Sequence, residues 1–414
     1  MTNYTPWQYM LIDLANAFGL DKKLFGERIE WAEANLYDLE SFADKADSKP
    51  LYMKAVLAIR KVLSGKPTGH TVALDACCSG IQVMSALTGC VAGATNTGLV
   101  DPNVRADAYG NLRGEMVDLL GSNVDVNRGD SKDALMTMMY GSKAKPKEIF
   151  GADTPQLQAF YTAAEIIAPG ATQLLRELLN SWRPYALFHA WKLPDGYDAR
   201  VKVIEKKEAR ITVDELDRAS FTYEFYVNEG TKSGLSNVAN VIHSVDAYVL
   251  RCIQRRCDYN VEAAKTAGEA MRAELELRKQ SLGFQSIKPA DGQLGYYIQQ
   301  YERSTMVDVV ILPYITGGYD TMFMSVDHME KLLTIIESMI THKPFHVITV
   351  HDEFRCSPNY MNFLRQHYIN IFAEIADSEL LSDLLSQLHG TKGKAEKLSN
   401  NLGELIRGSN YALS

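Results

Sequence analysis

Thr71-Val-Ala-Leu-Asp75-Ala-Cys-Cys-Ser79-Gly80-Ile-Gln82 is the stretch whose reading decides the fold. A β-prone run ends in an aspartate, turns through small residues, and enters a helix predicted to reach about Thr88. An acid at the end of a buried strand is costly to ionise unless a positive charge stands beside it. Its companion lies near the other end of the chain, in Phe345-His-Val-Ile-Thr-Val350-His351-Asp352-Glu353-Phe354. There a second apolar strand is predicted to end in His-Asp at a hairpin tip. Two aspartates delivered on neighbouring strand ends make a site for two divalent cations about 3.5–4 Å apart. Taken singly, either aspartate reads as an ordinary turn residue.

The composition bounds what surrounds that pair. The chain has 414 residues, 46% apolar and 23% charged, which is the make-up of a globular protein with room for two or three domains. No apolar run approaches the length of about 18 residues that spans a bilayer, so no membrane partner is expected. The start, Met1-Thr-Asn-Tyr-Thr-Pro6, lacks a basic region followed by an apolar one, and the expected location is cytoplasmic. Six cysteines without a C-x-x-C spacing read as reduced thiols. A net charge of −8 argues against a free-standing nucleic-acid binder, though not against a local basic channel or a basic partner.

In chain order, residues 1–70 read as helical: apolar residues at 7, 10, 11, 14, 15 and 18 form a stripe capped by Gly19, and further helices are predicted over 24–36 and 50–63. After Asp107-Ala-Tyr109-Gly110 comes a helix over 112–120, and 159–180 is helical with Pro169-Gly170 punctuating it. Residues 186–197 read as strand and turn, and 202–228 alternate as a hairpin with a charged tip. Helices are expected from Val241, over 257–280, over 328–340 and from Ser357-Pro358 with Ser357 as cap. Val309-Val-Ile-Leu312 reads as a short strand.

Arg128-Gly-Asp-Ser-Lys132-Asp-Ala-Leu-Met-Thr-Met-Met-Tyr140-Gly141-Ser142-Lys143 demands a functional reading. On a helix Arg128, Lys132 and Tyr140 share about a third of the circumference. Two cations and an aromatic hydroxyl on one flank suit a triphosphate with its sugar or base over the ring. The plain alternative is a solvated basic face.

With those residues laid out, the sequence resembles the single-subunit RNA polymerases of the phage and mitochondrial type. Asp75-Ala-Cys-Cys-Ser79-Gly80-Ile81-Gln82, followed by Ser85-Ala86, resembles that family's motif A, usually Asp-Gly-Ser-Cys-Ser-Gly-Ile-Gln. Arg128-x3-Lys132-x7-Tyr140-Gly141-Ser142-Lys143 matches motif B at its functional positions, and His351-Asp352 followed by Phe354 matches motif C. Leu20-Asp21-Lys22, Glu27-Arg28-Ile29, Pro194-Asp195-Gly196 and His243-Ser244-x-Asp246 extend the resemblance, and the final Tyr411-Ala-Leu-Ser is similar to the family's tail that folds back near the site. Departures are Ala76 for the usual Gly, the added carboxylate of Glu353, and about a hundred residues between His243 and Asp352. Ser325-Val-Asp327 is a second candidate for the His-Ser-x-Asp element.

The resemblance implies a helix-rich α+β right-hand polymerase with palm and fingers, lacking the thumb and N-terminal promoter domain. Its segments would be a helical palm-associated part (1–70), palm with motif A (71–110), fingers with motif B (111–240), a palm return with motif C and an insertion at about 257–325 (241–356), and a C-terminal palm or foot (357–414). Asp75 and Asp352, with the Ala76 backbone carbonyl, would hold two Mg²⁺ ions. Arg128, Lys132 and Lys22 would neutralise phosphates, Lys132 also giving a proton to the leaving pyrophosphate. Tyr140 would lie under the incoming nucleotide and sense its 2′-OH, His243 would touch the minor groove, and His351 would join the catalytic set. Gly141, Tyr109, Ser79 and Gly80 would contact nucleotide or nucleic acid. Related DNA polymerases carry a blocking Glu in motif A, and Gly80-Ile81-Gln82 supplies none, which favours ribonucleotides.

The family's Gly-Arg motif upstream of Lys22 is missing, since the chain has no Gly-Arg dipeptide. The expectation is a split, heterodimeric phage enzyme working in an infected host cytoplasm, with DNA template, RNA product and ribonucleoside triphosphates as partners. A second, smaller subunit would supply the missing parts, and a phage single-stranded-DNA-binding or promoter-loading factor is a further partner the resemblance admits. The rival readings are another two-metal nucleotidyltransferase or nuclease, and a non-catalytic assembly protein on a polymerase fold.

Overall fold

Capping decides where the first helix begins and ends. In the computed structural model, which describes residues 1–121 and 126–414, α1 (Pro6–Phe18) opens with a reciprocal Thr5–Gln8 capping box and closes at Gly19, φ 114. Two further helices, α2 (Phe25–Ala34) and α3 (Lys49–Leu63), precede β1 (Val72–Asp75) and α4 (Ser79–Thr88). Then come α5 (Val91–Asn96), α6 (Ala108–Leu120), α7 (Arg128–Met139), α8 (Ala144–Phe150), α9 (Pro155–Ile167) and α10 (Pro169–Asn180). Residues 122–125 of the expected fingers segment lie outside the described residues.

Two antiparallel ribbons follow: β2 (Phe188–Lys192) with β3 (Asp198–Lys202), and β4 (Ile204–Val213) with β5 (Ala219–Gly230). The long α11 (Ser236–Cys257) leads into α12 (Val261–Lys279), α13 (Gly292–Ser304), α14 (Gly318–Thr321) and α15 (Val326–Met339). The chain then returns to β1 through β6 (Ile348–Val350) and β7 (Glu353–Cys356), giving a three-stranded sheet of order β1-β7-β6. It ends in α16 (Met361–Asp377), α17 (Leu380–His389) and α18 (Leu402–Arg407). The result is a helix-rich α+β chain with small antiparallel sheets.

Two hydrophobic cores form. The larger gathers α1, α4, α11 and α16 around the inner face of the three-stranded sheet, where Leu74 and Phe354 are cross-strand partners and both are buried. The smaller is built only from residues 264–339, with Met271, Ile298, Leu312 and Ile336 among its members. Charge ties the second core back to the first. Arg255 of α11 donates to Asp308 at 2.5 and 2.9 Å and to Asp195 at 3.3 Å, while Arg251 donates to Asp195 at 2.6 and 3.1 Å. Both carboxylates are almost wholly buried, which ordered bidentate pairing makes tolerable.

Several local expectations need correction. Val309–Leu312 is not a strand but the start of a 3-10 turn, Val309–Tyr314. The Asp308 side chain accepts from the Val310 N–H at 2.9 Å, and Pro313 has no N–H to give a ladder. A short apolar run does not distinguish a buried turn from a strand. The helix expected from Val241 begins earlier, at Ser236, so His243 sits within it. Ser357 makes no side-chain cap, because a 3-10 turn, Pro358–Tyr360, intervenes before α16.

Candidate active site

The two aspartates meet because β7 pairs with both β1 and β6. Asp75 stands opposite Glu353 in the β1–β7 register, and Val350 opposite Glu353 in β6–β7, leaving His351-Asp352 as a two-residue tip with His351 at φ 56. The Ala76 N–H donates to the Asp352 carbonyl at 3.1 Å, locking the tip against the strand end. Side chains alternate across a strand, so Leu74 and Phe354 point into the core while Asp75 and Glu353 share the opposite face. The tail closes the other edge: the Ser414 N–H donates to the Asp75 carbonyl at 2.9 Å, and Tyr411 stacks on Phe25 at 4.8 Å.

Between β1 and α4 the backbone reverses at Cys78, in the left-handed region at φ 60 and ψ 65. That turn places Ser79 and Gly80 at the start of α4. A Cβ at Gly80 would lie 2.9 Å from the Tyr140 hydroxyl, so the absence of a side chain there is what lets Tyr140 approach. Gln82 is fully buried; its amide donates to the Thr97 and Ala412 carbonyls at 2.8 and 3.1 Å and its oxygen accepts from Tyr368 at 2.6 Å. It clamps the start of α4 to the C-terminal tail.

The opposing wall is α7, capped by Asn127, whose side chain accepts from the Gly129 N–H at 2.7 Å. Arg128 and Lys132 lie one turn apart, both over the Tyr109 ring, at 5.7 and 5.9 Å from its centre. Arg128 makes a bidentate pair with Asp107 at 2.6 and 2.8 Å. Lys22 is paired with Asp21. Tyr140 falls just past the end of α7, at its cap, rather than on the helix. Its ring stacks on His243 at 4.5 Å and 6°. Gly141 follows at φ 94, a conformation that favours glycine.

A single cleft of about 600 Å³ is lined by Lys22, Asp75, Ala76, Tyr109, Arg128, Lys132 and Asp352. Seven residues from chain segments far apart in sequence thus share one space. Tyr140, Gly141, Ser79, Gly80, His243 and His351 are not among its lining residues; His351 is exposed at the hairpin tip, and Tyr140 and His243 form a stacked pair beside Gly80. His243 and Asp246 lie close to the site, the latter near enough to Asp352 to feel its charge, whereas Asp327 is engaged with Tyr301 and Lys331 at α15.

The electrostatics are those of an acidic floor under a basic wall. Burial, then the neighbouring Glu353 and Asp352, raise the Asp75 carboxyl to about 6. Burial and Asp352 raise Asp246, also to about 6. The Tyr140 hydroxyl is pushed up to about 12 by burial and by Asp246, so it is a neutral donor at physiological pH. Burial pulls His243 down.

The surplus of carboxylate at Asp75 is a test of fit for a cation, since a divalent ion relieves what burial and like charge make costly. Among the described residues no group of three or more His, Cys, Asp or Glu side chains is arranged to hold a metal. A divalent cation bound through one or two carboxylates, waters and substrate phosphates needs no such group.

Residues 2–145 match the family of DNA-dependent RNA polymerases. The match covers the first third of the chain. The polymerase-family match contains Lys22, Asp75 to Gly80, Tyr109, Arg128, Lys132, Tyr140 and Gly141, whereas His243, His351 and Asp352 lie beyond it. No curated protein matches the chain. No helix of the described residues is long and apolar enough to cross a membrane.

Sequence reasoning gave no role to Asp107, which holds the Arg128 fork, and had no signal for Arg105 and Arg355, which also line the cleft. The Asp107–Arg128 pair spans twenty-one residues and depends on how α6 and α7 pack, which no local pattern encodes.

Proposed function

We propose that this chain is the catalytic part of a DNA-directed RNA polymerase and adds ribonucleotides to an RNA 3′ end on a DNA template. The observation that carries this reading is the cleft in which Asp75 and Asp352 share one space with Lys22, Arg128 and Lys132. The family match over 2–145 supports it. In this reading 71–110 and 241–356 are palm, 111–240 fingers, and 357–414 the palm's C-terminal part, while the second core is an insertion in the palm return.

Asp75 and Asp352, with the Ala76 carbonyl, hold the divalent cations, and the chemistry those supply when bound is a more acidic 3′-hydroxyl and charge neutralisation on the triphosphate. Arg128, its fork held by Asp107, adds positive charge to the wall, and Lys132 offers a mobile ammonium to phosphate oxygens. Lys132 stands over Tyr109 and is suited to hand a proton to the departing pyrophosphate. The neutral Tyr140 hydroxyl donates to the ribose 2′-OH, kept near Gly80 by its stack on His243. His351 fixes the hairpin tip whose next residue is Asp352.

The working enzyme includes basic surface from a second polypeptide. Several cleft cations are already neutralised, Arg128 by Asp107, Lys22 by Asp21 and Arg355 by Glu353, and the chain carries −8 overall. A channel for a nucleic-acid hybrid needs basic walls.

The test uses the complex purified from its native source through a tag on this chain. With a DNA template, Mg²⁺ and labelled ribonucleotides, the expected product is RNA complementary to the template. Degradation of template or primer without synthesis would replace this reading with a nuclease.

A further inference from the structure

The β4–β5 ribbon has two unlike faces. Register pairs Ala209 with Tyr223, Ile211 with Phe221 and Lys207 with Phe225, so Ile211, Phe221, Tyr223 and Phe225 share one face. These four side chains are between 37% and 53% exposed. The other face is polar, with Lys206 opposite Tyr226, Glu208 opposite Glu224 and Arg210 opposite Thr222. Alternation of this kind marks a sheet with one face built to be covered, and a lone two-stranded ribbon is marginal without such cover. A contiguous exposed aromatic face on a polar-backed element marks an interaction surface.

Charge selects the occupant. From 204 to 230 the ribbon has seven acidic and four basic residues, a net −3. Each basic side chain is already held: Lys206 by Glu224, Lys207 by Glu229 at 2.9 Å, Arg218 by Asp214 at 3.6 Å, and Arg210 by Ser220 at 2.6 Å. The tip carries Asp214, Glu215 and Asp217 around Leu216, which is 65% exposed. Nucleic acid would bring phosphates against this negative tip with no cation held ready for them. We infer that the β4–β5 ribbon is a docking arm for a basic protein: an apolar strip of the partner covers Ile211, Phe221, Tyr223 and Phe225, and its Lys or Arg side chains border the acidic tip. Area supplies affinity in such a contact and complementary charge supplies partner choice and on-rate.

Two synthetic amphipathic peptides with the same leucine stripe, one flanked by Lys and one by Glu, serve as fluorescent probes of the full chain, alongside a short duplex and a short single-stranded DNA. The Lys peptide should bind about tenfold tighter than the Glu peptide. Phe221→Ser with Tyr223→Ser should weaken it about tenfold, and Asp214→Asn, Glu215→Gln and Asp217→Asn together should weaken it severalfold and flatten its salt dependence. These positions are exposed, so unchanged circular dichroism is expected and would confirm that each variant folds. Equal binding of the two peptides, no binding of the Lys peptide, or binding unaltered by both variants would overturn the inference. So would DNA binding that falls when either the face or the tip is changed.

Discussion

Asp75 lies on the open face of the sheet, directly across from Glu353, and its carboxyl is raised from 3.8 to about 6 by burial, Glu353 and Asp352. A raised folded-state value means the fold prefers the protonated acid. The resulting stability is present below about 3.8 and is lost as pH rises through about 6, so ionised Asp75 destabilises the metal-free chain above that pH. The cleft walls crowd the carboxyl but leave it in reach of solvent, so the effect is on the order of 1 kcal/mol rather than the full value of the shift. Asp75→Asn should therefore raise the urea midpoint of the metal-free chain at pH 8 and leave it unchanged below pH of about 4. In the proposed function Tyr140 reads the sugar, and that is testable. Tyr140→Phe removes one hydroxyl that reads a substrate hydroxyl, which is worth about 1–3 kcal/mol, and should lower ribose-over-deoxyribose preference roughly ten- to hundredfold. Gly80→Ala puts a methyl 2.9 Å from that hydroxyl and should lower the same ratio by displacing it. An unchanged ratio of the two incorporation rates in both variants would put the selectivity elsewhere. That Asp75, Lys132 and Asp352 share one cleft was legible, because acids ending apolar strands stand out and the Arg128–Lys132 spacing puts both cations on one helical flank. Asp107 was not, since its role exists only once α6 and α7 pack.

At the scale of elements, strands and helices with a strong period were readable to within a few residues. α1 and α15 follow their apolar stripes, and the β4–β5 ribbon its alternation. Weak periodicity failed at 309–314, where a side-chain cap and a proline decide the conformation. The start of α11 was read late because its first turn, Ser236-Asn237-Val238, is polar at its edge and pinned by Asn237 bonds to Ser181 and His189. The joint between the cores is testable. Asp308→Ala strands the half-buried Arg255 guanidinium with only part of its pairing and should cost roughly 3 kcal/mol, read as a lowered urea midpoint. A double variant with Arg255→Met should recover part of that loss, since it removes the unpaired charge.

Across the whole molecule, the acidic balance and the pre-paired cations of the cleft predict dependence on a second polypeptide. The isolated chain should be weakly active or inactive, and adding the co-purifying smaller protein should restore processive transcription; full processivity from the 414-residue chain alone would contradict this. The second core was visible in the sequence only as excess length between His243 and Asp352, and its extent over 264–339 emerges from packing. The central claim is that Asp75 and Asp352 together make the reacting centre. The most direct measurement is nucleotide addition by the native complex carrying Asp75→Asn or Asp352→Asn, with circular dichroism confirming an intact fold. Each substitution nearly preserves volume while removing a ligand charge, so each alone should abolish addition of labelled nucleotide. Substantial addition by either folded variant would contradict the account.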